Sequence, residues 1–358
     1  MGHSQHYYTG NGQYLDSSLT NSGVGSDRSA RTVPGTKGRP GLGVMKLGFA
    51  VKVLGGGGLP SHDARRWRSE PHLRVSLEHI DAIFDYLEAT DIHMYRMSSA
   101  LAPYASHPDM PQFHHQVDDC LDKLAELGAR AQMIGLRLSM HPGQYTVLNS
   151  TDDKVVQAAI EELEVHTRIL DAMGLGPEAV IVLHVGGRSG GVGPALERFE
   201  RGFARLSDGA RARLVLENDD RSFSLSDVLT LAEHIDRPVV WDVLHHYCYD
   251  PDLIPDAEAL VLALETWPDG VRPKIHFSSS RGDVVERKQK REGRTVSSIA
   301  FPPMRAHADL IDPIAFAGFK AGVAARVRPF DVMLEAKAKD LALIRLRDQL
   351  AARAHRSG

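Results

Sequence analysis

Short apolar runs alternate with longer segments of helical spacing along most of this chain. Strand-length runs occupy 46–53 (KLGFAVKV), 92–97 (IHMYRM), 136–140 (LRLSM), 179–185 (AVIVLHV), 213–217 (RLVLE), 238–243 (PVVWDV), 272–277 (RPKIHF) and 330–335 (FDVMLE). Between them apolar residues recur every three to four positions, most clearly over 75–87, 117–133, 154–173, 226–234 and 256–264, with a last helix over 340–352. Strands separated by helical patterns predict a parallel sheet, because parallel neighbours need a crossover long enough to hold a helix. Eight such units in series, with no long interruption, predict an α/β chain closed as a single (β/α)8 TIM barrel.

Residues 1–44 break the pattern. They are rich in Gly, Ser, Thr and Asn, carry scattered Arg and no Glu, and show no hydrophobic period. They predict a disordered tail ahead of a barrel domain spanning 45–358, with Met45 as an alternative start.

Composition narrows the class without naming a chemistry. No apolar run approaches the roughly 20 residues of a membrane span, so no membrane partner is expected. Cys120 and Cys248 are the only cysteines, too few for a disulfide framework. A reducing, cytoplasmic setting and a monomer are the expectation. A formal net charge of −4 with 18 histidines is not the strongly basic profile of a generic nucleic-acid binder. Bound cations and local basic loops can nevertheless supply a positive field.

The candidate chemistry lies at the strand ends. In LRLSMHPGQY the Pro-Gly pair stops the strand, leaving His141 at its carboxyl end and Gln144 and Tyr145 on the loop. The same layout recurs. The fourth strand carries His184, the fifth ends in Glu217-Asn218-Asp219, and the sixth gives Asp242 and then His245-His246. The seventh gives Lys274 and His276, the loop after it holds His307, and the eighth ends in Glu335, followed by Lys337. Taken singly, each of these has an ordinary structural explanation. In a parallel barrel, however, all carboxyl ends ring one mouth, where active sites are built. A ring of acids and imidazoles is costly to bury without counter-charge, and divalent cations supply it. Oxygen and imidazole ligands without thiolate suit Mn, Zn or Fe, and three carboxylates make room for two or three ions. The residues alone therefore point to a multinuclear metallo-hydrolase or isomerase.

The run from Ser98-Ser99 to Ala105-Ser106-His107-Pro108, then SMHPGQY, VLHVGG, LENDD, DVLHH, PKIHFSS and VMLEAKAK, resembles the UV damage endonucleases. That family is related in architecture to endonuclease IV. The resemblance implies a metal-dependent repair enzyme that nicks the backbone of damaged double-stranded DNA 5′ to pyrimidine dimers and 6-4 photoproducts, by metal-activated attack of water on the phosphodiester. It implies metal ligation by His141, His184, Glu217, Asp242, His245, His276, His307 and Glu335, with Glu217 as the bridging carboxylate. The ions expected are Mn2+, with Zn2+ or Mg2+ as alternatives. Glu217, His245 and Lys274 would be catalytic. Lys274 matches a lysine that the family can carboxylate; an ordinary lysine contacting phosphate is the alternative. Gln144 and Tyr145 match the pair that probes the lesion. His107 is expected near the rim, either supporting a ligand or contacting phosphate.

One stretch departs from the family pattern. The first strand usually carries a tyrosine and then an asparagine, where this chain has Phe49 and Val53. The Gly55–Gly58 run that follows lacks the GK[ST] of a phosphate loop. Two basic segments complete the picture. Arg65-Arg66-Trp67-Arg68 follows the first strand, with Trp67 placed to stack on a base, and 281–294 holds six basic and three acidic residues. The rival expectations are an abasic-site or broader-lesion endonuclease, a xylose-isomerase-like sugar isomerase or epimerase, and a DNA-binding protein with an inactive site.

Overall fold

The structure is a computed structural model describing residues 45–291, 294–322, 324 and 327–354; the tail expected over 1–44 lies outside them. The strands are β1 (Leu47–Ala50), β2 (Met94–Arg96), β3 (Arg137–Ser139), β4 (Ile181–His184), β5 (Leu214–Glu217), β6 (Val239–Val240), β7 (Lys274–Phe277), β8 (Val285–Arg291), β9 (Arg294–Ala300) and β10 (Asp331–Leu334). The helices are α1 (Leu73–Ala89), α2 (Leu121–Met133), α3 (Asp153–Ala172), α4 (Val192–Phe203), α5 (Asp208–Arg213), α6 (Leu225–Ile235), α7 (Val243–Cys248), α8 (Asp256–Glu265), α9 (Pro313–Gly322) and α10 (Lys339–Ala354). Among the described residues no helix is long and apolar enough to cross a membrane.

All eight expected strands form, and all are parallel. They hydrogen-bond in the orders β3-β2-β1-β10-β7 and β4-β5-β6. Single parallel bridges, Met140 to Ile181 and Asp242 to His276, join the two groups at both seams, so pairing runs around the whole ring in the manner of a TIM barrel. The strands are shorter than the apolar runs that announce them. Val51 takes a φ of 67°, which a β-branched residue adopts only under constraint. That turn ends β1, and the Tyr95 hydroxyl holds it by donating to the Val51 carbonyl at 2.6 Å.

Alternation along the strands sorts the side chains into two layers. Phe49, Tyr95, Leu138, Leu183, Leu216, Ile275 and Val332 face outward into one large core shared with the helices. Helix α1 answers with Leu73, Leu77, Ile80, Phe84 and Leu87, spaced at three or four residues and fully buried. Each such side chain contributes roughly 1.5–3 kcal/mol of burial. Inward-facing residues form smaller sets: Ala50, Met94 and Met333, and separately Val180, Val182, Val215, Val240 and Trp267. Gly48 belongs to the inner layer. A Cβ there would come within 2.6 Å of the Met94 side chain, so only glycine lets β1 and β2 close around that methionine.

Capping makes the helix starts sharp. Asp152 accepts from the Lys154 amide at 2.9 Å ahead of α3. Ser224 and Asp227 form a reciprocal capping box on α6. The Gly55–Gly58 run is a tight turn rather than a phosphate loop. The Gly55 amide donates to Asp340 at 2.8 Å and the Gly58 amide to the Gly55 carbonyl at 2.9 Å.

The amino-terminal end of the barrel is closed by charge. Arg137 and Asp331, both buried, pair at 2.9 Å; the Lys46 amide and the Arg272 guanidinium also meet Asp331, at 3.0 and 2.8 Å. The segment 281–294, expected as a loop, is instead largely the antiparallel hairpin β8–β9, inserted between β7 and α9.

Candidate metal centre

The strand-end residues converge at the carboxyl mouth of the barrel. Alternation puts His184, Glu217, Asp242, His276 and Glu335 on the inner face one step above the apolar layer, and parallel register sets Glu217 beside His184. Glu217 is the hub, with 1% of its side chain exposed. His141 Nε2 lies 2.9 Å from its Oε2 and His276 Nδ1 lies 2.8 Å from its Oε1. His184 and His245 stand 3.6 and 3.7 Å away. His276 Nδ1 is also 3.4 Å from Glu335, and His245 Nδ1 is 3.8 Å from Asp242. The imidazoles form a chain, with ring centres 5.3 Å apart for His141 and His184, 5.6 Å for His184 and His245, and 6.1 Å for His245 and His307.

Three groups of potential ligands result: His141, His184 and Glu217; Glu217, Asp242 and His245; Asp242, His276 and Glu335. Within each, one ligand atom per residue lies within 4.8 Å of the others. Glu217 is common to the first two and Asp242 to the last two, as carboxylates between neighbouring cations would be. The donors also fit metal on their own terms. Asp242 Oδ2 is buried with no hydrogen-bond partner, and a buried polar atom without a partner is costly. The donor set has no sulfur, which suits harder divalent ions.

The electrostatics carry the same imprint. Burial alone would raise the Glu217 pKa, but His276 and His184, with hydrogen bonds from His141 and His276, hold it well below the ordinary carboxylate range. Glu335 is likewise held low against burial, chiefly by Arg96, whose guanidinium bonds its carboxylate directly. Asp242 is pushed up, first by burial and then by the neighbouring charges of Glu217 and Glu335. For His245 burial works downward, but Asp242, Glu217 and Glu335 together raise it to about 9.

Lys274 sits two residues before His276 on the same face of β7, fully buried beneath the cluster, with Nζ donating to Ser139 Oγ at 3.1 Å. Burial, then Arg137 and Arg96, drive its pKa well down.

The remaining predicted residues are placed as follows. His307 borders the cluster without joining the three groups; its Nδ1 lies 2.8 Å from the Glu335 carbonyl. Gln144 and Tyr145 are exposed on the loop directly after His141, Tyr145 to 83%. Trp67 is 45% exposed, with the Arg68 guanidinium 5.2 Å from its ring centre. His107 Nδ1 accepts from the Asp109 amide at 3.2 Å and ties down its own turn.

Two strand-end residues face elsewhere. Asp219 closes its loop by accepting from the amides of Arg221 and Phe223, and His246 turns away to the Ile254 carbonyl at 2.9 Å. Phe49 and Val53 are both buried, Phe49 edge-on to Tyr95 at 5.4 Å.

Sequence reasoning missed Arg96 and Asn218. The rule that singled out His, Asp and Glu at strand ends, extended to any polar residue, finds Arg96 at the end of β2. Asn218 exchanges two hydrogen bonds with the Asp242 backbone, at 2.8 and 3.1 Å, and so fixes one ligand strand against the next.

The UV-endonuclease UvdE family matches residues 72–356. This span contains all eight predicted ligands and begins after β1. A UV DNA damage endonuclease of Bacillus cereus is 33% identical over 281 residues, 78% of this chain and 82% of that protein. A UV-damage endonuclease of Schizosaccharomyces pombe is 34% identical over 265 residues, 71% of this chain and 40% of that protein. The solved crystal structure of SacUVDE is 30% identical, with a TM-score of 0.70, covering 87% of this chain and 99% of that one.

Proposed function

Because the chain belongs to the UV-endonuclease UvdE family, we propose that it is a metal-dependent endonuclease nicking damaged double-stranded DNA immediately 5′ to pyrimidine dimers and 6-4 photoproducts. The observation that carries this reading is the sharing of Glu217 and Asp242 among three adjoining ligand groups, an arrangement suited to two or three divalent cations, with Mn2+ as the first expectation and Zn2+ or Mg2+ as alternatives. Such a cluster supplies an activated water and positive charge around the phosphodiester.

The chain's own groups do the rest. His141, His184, Glu217, Asp242, His245, His276, His307 and Glu335 hold the cations, and Glu217 orders four of the imidazoles. His245, held between Glu217 and Asp242, stands near the place where charge grows on the phosphate and on the departing 3′ oxygen. Lys274, whose pKa is driven well down by burial, Arg137 and Arg96, is the lysine that takes up carbon dioxide as a carbamate; its burial weighs against the phosphate-contact alternative. Gln144 and Tyr145 offer an amide and an aromatic ring to the gap a lesion leaves in the stack. Trp67 offers a second stacking face, and His107 shapes a rim loop. The protein acts as a monomer.

An incision assay on a duplex with one defined photolesion, run beside metal analysis of the same preparation, tests this. The expected product is a single nick on the 5′ side, abolished by chelation and restored by Mn2+. The second reading, an abasic-site endonuclease, is motivated by the buried apolar Phe49 and Val53 where polar lesion-reading groups were expected. It prevails if abasic duplexes are cut and irradiated ones are not.

A further inference from the structure

The hairpin β8–β9 has no packing reason to exist. It consists of two strands of seven residues each. Every residue from Glu286 to Lys290 and from Arg294 to Ile299 is exposed, so neither face covers the barrel. An isolated two-stranded ribbon gains little stability of its own. Its charge is one-sided: Arg287, Lys288, Lys290 and Arg294 stand against Glu286 within the strands. Register places Arg287 across from Ser298, Lys288 from Ser297 and Lys290 from Thr295, so cations line both faces beside small hydroxyl residues. Lys288 approaches Glu286 at 4.0 Å; Arg287, Lys290 and Arg294 have no ion pair among the described residues.

The root of the ribbon is tied to the metal centre. Ser280 bridges to His307 in antiparallel fashion. The Arg281 amide donates to the Ala306 carbonyl at 2.7 Å and the Ala308 amide to the Ser279 carbonyl at 2.8 Å. His307 therefore stands on one strand of the neck from which the ribbon projects.

We infer that β8–β9 is an arm that grips the phosphate backbone of undamaged duplex flanking the cut site, with Arg287, Lys288, Lys290 and Arg294 as its contacts. This rests on the reading of the chain as a DNA endonuclease. The partner is fixed by charge complementarity: a polar ribbon of uncompensated cations, beside a site that takes a phosphodiester, matches a regularly spaced polyanion. Seven residues at about 3.4 Å each reach roughly 24 Å. That corresponds to about seven base pairs, so one flank of the substrate needs about that much duplex beyond the lesion.

The test compares the full chain with a variant carrying Arg287→Gln, Lys288→Gln, Lys290→Gln and Arg294→Gln. Equilibrium binding to lesion-bearing duplexes is measured across salt concentrations, with either flank long or cut short. The variant is expected to bind about 10–100-fold more weakly, with a plot of log affinity against log salt flatter by about 3.6, near 0.9 for each of the four phosphates no longer neutralised. Shortening one flank of the duplex should weaken the unaltered protein and leave the variant indifferent, a difference that a merely structural hairpin would not produce. Equal affinity and salt slope in the two proteins overturn the arm and leave the ribbon to a protein partner. Nicking is scored separately: failure of the unaltered protein to nick, with hairpin-dependent binding intact, sinks the photolesion reading and keeps the arm.

Discussion

Four imidazoles approach the carboxylate of Glu217, two of them at 2.8 and 2.9 Å, and that crowding determines what the residue does when changed. Glu217→Gln keeps the shape and the capacity to accept from His141 or His276 but removes the charge around which the cluster is neutralised. Bound metal is expected to fall to background and nicking by about 10³-fold or more, while far-UV circular dichroism stays unchanged; metal analysis and the incision assay read the two losses. The unaltered protein should also be more stable to unfolding with Mn2+ than with chelator, by about 2.7 kcal/mol at a hundredfold excess over Kd, whereas the Gln variant should not respond. At this scale the sequence was informative wherever a His, Asp or Glu ended a strand. It was silent on direction for Asp219 and His246, which lie within two residues of the ligand candidates Glu217 and His245 but whose own polar atoms found loop amides and a carbonyl instead.

At the scale of elements, the loop between β1 and α1 shows how a basic segment is held in place. Asp63, 3% exposed, accepts from the Arg65 guanidinium at 2.6 Å and from the His72 amide at 3.0 Å, while its own amide donates to Ser76 in α1 at 2.8 Å. The Arg65 hydrogen bond, helped by the His72 and Arg65 amides and opposed by burial, lowers the Asp63 pKa to about 2. A depressed carboxyl pKa stabilises the fold above its ordinary value of 3.8 and ceases to do so as the pH falls through about 2. Asp63→Asn should therefore lower Tm by about 2–4 °C near neutrality. The gap to the unaltered protein should close as the pH is brought from about 4 toward 2, read by thermal melts in that range. Strand and helix existence was legible here because period-two and period-3.6 patterns survive in the sequence. The β8–β9 hairpin was not, since a ribbon exposed on both faces leaves no alternation between apolar and polar residues.

For the molecule as a whole, the barrel divides its labour between its two ends. The mouth gathers the candidate ligands, and the opposite end holds the buried Arg137–Asp331 pair, with Arg272 and Lys46 around it. Asp331→Ala leaves the Arg137 guanidinium buried without its carboxylate, which costs about 3–5 kcal/mol. Urea denaturation should show that loss, while metal content per folded molecule stays at the unaltered level; depletion of metal in the folded fraction would mean that the two ends are not independent. The sequence by itself determined the number and order of the eight barrel strands, the longer helices between them, and which polar residues fall at strand ends, because these are properties of local period and of where a strand must stop. Only the tertiary structure decided that residues from His141 to Glu335 converge on one cluster of potential ligands, that Lys274 lies enclosed beneath them, and that Arg96 pairs with Glu335. Those contacts join positions scores of residues apart, and ring closure, together with the inward turn of alternate side chains, sets their distances.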